Sequence, residues 1–119
     1  MQLVREKYIS LETFRRDGTG VRTPVWFVEM GGQLFFYTLA DSGKVKRIRR
    51  NPRVRVAPCD MRGRVHGDWK EGRARLATQE ETAQAYELLN RKYPISKRIL
   101  NFFSLFRPRK RVVVAIAIP

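Results

Sequence analysis

The chain has 119 residues, 43% of them hydrophobic, which suits one folded domain spanning 1–119 with a single modest core and is too apolar for a disordered polymer. Lys and Arg number 25 against 11 acids, a net charge of +14 that attracts polyanions, and the one cysteine, Cys59, excludes an internal disulfide framework or a CxxC motif. No apolar run approaches the roughly 20 residues of a membrane span and no signal peptide is visible, so a reducing cytoplasm is the expected compartment.

Tyr8 to Phe14 is a β-rich run closed by the turn signal Asp17-Gly-Thr-Gly20. Val21 to Met30 reads as a second strand, with Pro24 marking an edge or a bulge. Gly31-Gly32 is a two-residue hairpin turn leading into a third strand, Gln33 to Leu39, so the first half reads as an antiparallel meander. Asp41-Ser-Gly43 breaks the sheet. Lys44 to Asn51 is then a short helix with Ser42 as N-cap, Val45 and Ile48 on its packing face, and Pro52 as its stop. Arg53 to Ala57 alternates as a half-buried strand, and Met61-Arg-Gly63 turns the chain into a strand region from about Arg64 to Ala77. Thr78-Gln-Glu-Glu81 is a capping box that opens a helix carrying Thr82, Tyr86, Leu89 and Tyr93 on one face, with Pro94 ending it. Ile95, Ile99, Phe102, Phe103 and Phe106 repeat at helical spacing, a stripe for core or dimer packing, and Val112 to Ile118 is a buried final strand. The class is α+β, built on a barrel-like antiparallel sheet.

A side-chain catalytic constellation is missing. His66 is the one histidine, which excludes a two-histidine metal site, and there is no P-loop and no GxGxxG. Chemistry in such a chain would come from a bound cofactor. The segment Tyr37 to Lys44 is where one would attach. Tyr37 and Thr38 end a strand, Ser42 and Gly43 start a helix, and Lys44 lies in its first turn. Hydroxyls, unpaired N–H groups at a helix N-terminus and a lysine converge there, as a phosphate requires. Thr23, Pro24, Val25 and Trp26 lie beside it by hairpin pairing and would line a flat ring. Trp69, between Gly67 and Gly72, stacks on such a ring, seals a dimer interface, or packs on its own sheet.

These residues resemble the pyridoxamine 5'-phosphate oxidase-like split β-barrel flavoproteins, in which a strand ending in Tyr-Thr is followed by Ser-Arg-Lys and a helix ending in Asn-Pro. This chain has Tyr37-Thr38, Ser42-Gly43-Lys44 and Asn51-Pro52, with Gly43 in place of the arginine. Thr13 to Gly18, Arg22 to Phe27, Ala40 to Arg47 and Glu71 to Arg75 look most like the branch of probable F420-dependent enzymes. The resemblance implies a six-stranded split barrel, a homodimer with cofactor sites at the interface, and the ring along Thr23–Trp26. It also implies hydride transfer between deazaflavin F420, or alternatively FMN, and a small unsaturated substrate. Arg47 and Arg50 become candidates for the anionic part of that cofactor. Two rival readings are a cofactor carrier without turnover and a nucleic-acid-binding module. The second is the weaker, because Phe35, Phe36 and Tyr37 sit in a core-like run and are not interleaved with the basic residues.

Overall fold

Runs of β-branched and aromatic residues bounded by glycine turns favour paired strands. In the computed structural model, which describes residues 5–93 and 110–119, Tyr8–Phe14 (β1) pairs antiparallel with Gly20–Val25 (β2). Val28–Met30 (β3) pairs with Gln33–Leu39 (β4) across Gly31 and Gly32, whose φ angles of 60° and 78° are the left-handed pair that a type I′ turn demands. Arg53–Cys59 (β5) and Lys70–Leu76 (β6) follow, and Arg111–Ala117 (β7) lies between β6 and β4. All pairings are antiparallel, in the order β2-β1-β5-β6-β7-β4-β3, and the sheet curls into a half-barrel.

The stretch read as one strand, Val21–Met30, is two. It breaks at Trp26-Phe27, and its halves lie at opposite edges of the sheet. Pro24 has no N–H to offer a further strand, in keeping with an edge position. This break raises the six strands implied by the resemblance to seven among the described residues. It also removes the meander, because β4 pairs with β3 and β7 and not with β2. The backbone of Phe27, lost to the ladder, is satisfied from elsewhere: its N–H donates to the Tyr93 hydroxyl (3.3 Å) and its carbonyl accepts from Lys92 Nζ (2.9 Å). The strand expected from Arg64 is likewise shorter. The Asp60 carboxylate accepts from the N–H groups of Arg62 and Arg64, both at 2.9 Å, and this turn chemistry holds the segment before Lys70 out of the sheet, apart from a bridge between Cys59 and Val65.

Two apolar layers result. The barrel interior is filled by Ile9, Leu11, Phe27, Leu34, Phe36, Val54, Val56, Val114 and Ile116. A short helix, Gly43–Arg50 (α1), closes on it with Ile48. On the outer face, Val28, Phe35, Val113 and Ala115 pack beneath Ala85, Leu89 and Tyr93 at the second helix, Gln79–Lys92 (α2). The stripe from Ile95 to Phe106 lies outside the described residues. Among residues 5–93 and 110–119 no helix is long and apolar enough to cross a membrane.

The expected capping box of α2 is present: Glu81 N–H donates to Thr78 Oγ1 (3.1 Å) and Thr78 N–H to Glu81 Oε1 (2.9 Å). Arg75 grips the same carboxylate at 2.7 and 2.8 Å, and with the cap it lowers the Glu81 pKa from 4.5 to about 2. A carboxyl depressed in the folded state stabilises fully above its unfolded value and loses that contribution as pH falls through the folded one. The loss therefore lies between pH 4.5 and about 2. Wild type is expected to lose more thermal stability across that window than Glu81→Gln; parallel melting curves at each pH would contradict this.

Candidate functional site

The curl brings together what pairing does not. Because β2 and β3 are the two sheet edges, the C-terminal end of β2 faces the end of β4 across the split in the barrel. Pro24, Val25 and Trp26 on one side and Tyr37 and Thr38 on the other line an open groove with Lys44 of α1, Tyr8 and Met61. Its volume is about 420 Å³, within the roughly 300–1,000 Å³ of small-molecule sites. Six of the residues singled out from sequence thus meet in one place, although hairpin pairing was the wrong reason for the ring strand.

Charge marks one end of the groove. Ser42 caps α1, its Oγ accepting from Val45 N–H at 3.3 Å. That leaves the hydroxyl proton free to donate, and Gly43 and Lys44 N–H belong to the first turn, where no intrahelical acceptor exists. Lys44 is half-buried, and no carboxylate among the described residues forms an ion pair with it. Desolvation, then the Arg47 charge, push its pKa down. It also sits at the positive end of the helix dipole, where a cation costs stability. No acid occupies that turn. A lysine kept against both burial and dipole is poised for an anion.

Arg47 reaches the same helix end by another path. Its guanidinium folds over Gly43, where an added Cβ would lie 2.7 Å from Nη1, while Nε donates to Thr13 Oγ1 at 2.6 Å. Any side chain at position 43 would contest that space. The Arg47 pKa is pushed down by desolvation, then by the charges of Arg15 and Arg50. Arg50 itself turns toward Phe14, donating to its carbonyl at 3.4 Å. Neither arginine lines the groove.

Ser42 and Gly43, at the helix start next to Lys44, are not among the lining residues, and two further candidates also lie apart from the lining. Thr23 faces the same side of β2 as Val25, and its Oγ1 is buried with no hydrogen-bond partner among the described residues, an orphaned polar atom on the strand whose end lines the groove. Trp69 is on a different surface: the guanidinium groups of Arg22 and Arg55 lie 4.6 and 4.9 Å from its ring centre. Both arginines also bind the buried Glu12, at 2.8 and 3.1 Å. Trp69 therefore belongs to a cation–π and ion-pair cluster on the outer face of β1, β2 and β5, and does not stack in the groove.

Sequence reading missed Tyr8 and Met61. Tyr8 carries no local signal. Met61 does: it is an apolar residue at a turn, and it is 69% exposed at the groove. Reading also missed the layer behind the groove. Trp26 and Tyr37 help to line a cleft of about 40 Å³ with Tyr86, Leu89, Asn90, Tyr93 and Arg111. Burial raises the Tyr37 and Tyr86 pKa values, so both phenols keep their protons at neutral pH.

A curled antiparallel sheet split along one seam, with a ligand-sized groove across the seam and a cation at its end, defines a split β-barrel. The family model described as pyridoxamine 5'-phosphate oxidase matches residues 2–118, and the chain belongs to that family. Solved structures share the fold. An F420 reductase superposes with TM-score 0.62 at 23% identity, covering 99% of this chain and 91% of that one. A FAD-binding protein from Mesorhizobium loti gives 0.66 at 19%, covering 98% and 82%. HutZ, the heme storage protein from Vibrio cholerae, gives 0.73 at 13%, covering 97% and 83%. No curated protein sequence matches the chain.

Proposed function

We propose that the groove holds a flavin-type coenzyme, with deazaflavin F420 preferred over FMN, and that the protein is a homodimeric oxidoreductase. The observation that carries this reading is Lys44, a half-buried cation with no ion-paired carboxylate among the described residues, at a helix N-terminus beside a ring-sized groove. The residues present fit such a group. Lys44 and the first-turn N–H groups would hold its phosphate, with the Ser42 and Thr38 hydroxyls beside them. Pro24 to Trp26 and Tyr37 would flank its ring. Bound there, the coenzyme would supply hydride transfer to or from a small unsaturated substrate. Tyr37, half-buried and with its pKa pushed further up by desolvation, holds a proton at the edge of the groove.

Preference for the deazaflavin rests on Gly43 and on charge. F420 continues past its phosphate into a chain of glutamates, whereas FMN ends there. Gly43 adds no bulk at this end, and Arg47, with Arg15 and Arg50 nearby, extends the positive field beyond it. Arg53 is not available to the tail, because it binds Glu71 at 2.8 and 3.0 Å. Fluorescence titrations with both coenzymes at ~50 and ~200 mM salt test the reading, since charges at the surface are screened over that range. F420 is expected to bind more tightly, with an advantage that shrinks at the higher salt. Tighter FMN binding would reject the preference, and no binding of either below ~1 mM, about −4 kcal/mol, would reject the function. Sedimentation of the same samples reads the assembly, and a mass equal to the 14.0 kDa monomer would reject the dimer.

A carrier without turnover remains the second reading, favoured by the structural likeness to a heme storage protein. Reoxidation of the bound, reduced coenzyme by quinone acceptors separates the two. The nucleic-acid reading loses support from the ion pairs that occupy Arg22, Arg53 and Arg55.

A further inference from the structure

The wall of the groove depends on a residue outside it. Trp26 sits where the chain leaves β2 at one sheet edge for β3 at the other, outside both ladders, so no strand neighbour among the described residues fixes its backbone. The end of α2 does so instead. The Tyr93 hydroxyl accepts from Phe27 N–H at 3.3 Å and donates to the Lys7 carbonyl at 2.7 Å, with the Phe27 carbonyl also within 3.1 Å. Lys92 donates to that Phe27 carbonyl and lies 3.8 Å from the centre of the Phe27 ring. The Tyr93 ring stacks on Trp26 at 5.3 Å between centres and 16° between planes. One side chain, 8% exposed, thus sets both the backbone at the break and the plane of the indole.

We infer that Tyr93 is a positioning residue for the groove: through Phe27 and the Trp26 stack it orients the indole against which a flat ligand lies. The Phe27 side chain is directed into the barrel interior while Trp26 packs beneath α2, so the break must hold two neighbouring side chains in two different layers. Packing alone leaves the peptide between them free to rock about its ends. The hydroxyl removes that freedom by tying the Phe27 amide and the Lys7 carbonyl, next to β1, to a single atom that lies 3.1 Å from the Phe27 carbonyl. Lys92 backs the same carbonyl. The ligand-binding part of this inference rests on the function proposed above; the orienting of Trp26 does not.

Tyr93→Phe keeps the stacked ring and deletes the hydroxyl. Placed in a Trp69→Phe background it leaves Trp26 as the only tryptophan, since the chain has two. Acrylamide quenching of Trp26 without ligand is expected to increase at least about two-fold, and FMN affinity of the folded protein to fall about ten-fold, the loss of roughly one hydrogen bond's worth of preorganisation. Lys44→Ala in the same background is expected to weaken FMN without changing the quenching. Unchanged quenching in Tyr93→Phe overturns the inference. Raised quenching with unchanged affinity also overturns it, because Tyr93 would then serve stability alone. If Tyr93→Phe does not fold, Lys92→Met, which removes the second tether on the Phe27 carbonyl, is expected to move both readouts in the same direction by a smaller factor, and no movement in either overturns the inference. If wild type binds neither FMN nor F420, the proposed function fails while the quenching arm still decides whether Tyr93 orients Trp26.

Discussion

Lys44→Ala is expected to weaken coenzyme binding ten- to a hundred-fold and to leave the fold as stable as before or slightly more so. The two effects have opposite signs for one reason. The Lys44 ammonium is half-desolvated, stands beside Arg47 and lies at the positive end of α1, so without a bound anion its charge is a cost. A phosphate turns each of these terms around: it neutralises the repulsion from Arg47 and accepts a charge-assisted hydrogen bond, a kind that contributes about 1.5–3 kcal/mol. That interval corresponds to the stated loss in affinity. Alanine also has the better helix propensity. Titration of the variant beside a thermal melt reads both signs. Unchanged affinity would move the phosphate elsewhere, and a large drop in melting temperature would show that Lys44 serves the fold.

Phe36→Ala is expected to cost about 3–5 kcal/mol, a large share of the roughly 5–15 kcal/mol that holds a small domain together. Phe36 is fully buried in the barrel interior and pairs across the sheet with Val114. Its loss opens a cavity between Leu34, Val114 and Ile116 of the same core, where the rigid strands on either side cannot collapse to fill it. Phe36→Leu, which keeps most of the volume, is expected to cost less than about 1.5 kcal/mol. The site should suffer with the core, because the next two residues of β4 are Tyr37 and Thr38. Urea unfolding of the three proteins measures the difference, and equal midpoints for Phe36→Ala and wild type would show that the interior is not the main source of stability.

How much of this was legible in the chain differs by element. Gly31-Gly32, the Ser42 cap and the Thr78 to Glu81 capping box are local hydrogen-bond and dihedral devices, complete within four residues, and each was readable without knowing the fold. The strands at Tyr8–Phe14 and Gln33–Leu39 were readable from alternation and composition. The break at Trp26-Phe27 was not. It is created by Tyr93 and Lys92, more than sixty positions further along, which supply the hydrogen bonds that permit the chain to leave one strand and join another.

The site divides in the same way. Ser42, Gly43 and Lys44 were recognisable because a helix start brings neighbours in sequence to one point, and that geometry is intrinsic to a helix N-terminus. Which partner strand faces that point depends on the curl of the whole sheet. Trp26 and Tyr37 meet across a split between two edges, a relation set by seven strands in a particular order. Trp69 shows the converse. Its flanking glycines left ring stacking, a dimer seal and packing on its own sheet open, and it lies against Arg22 and Arg55, whose strands pair with β1 at Glu12. The sequence by itself determined the turns, the caps, the cation at the helix start and the family. Tertiary structure alone decided which aromatic residues form the groove and which arginines are spent on ion pairs, because strand register and sheet curl arise from contacts between segments far apart in the chain.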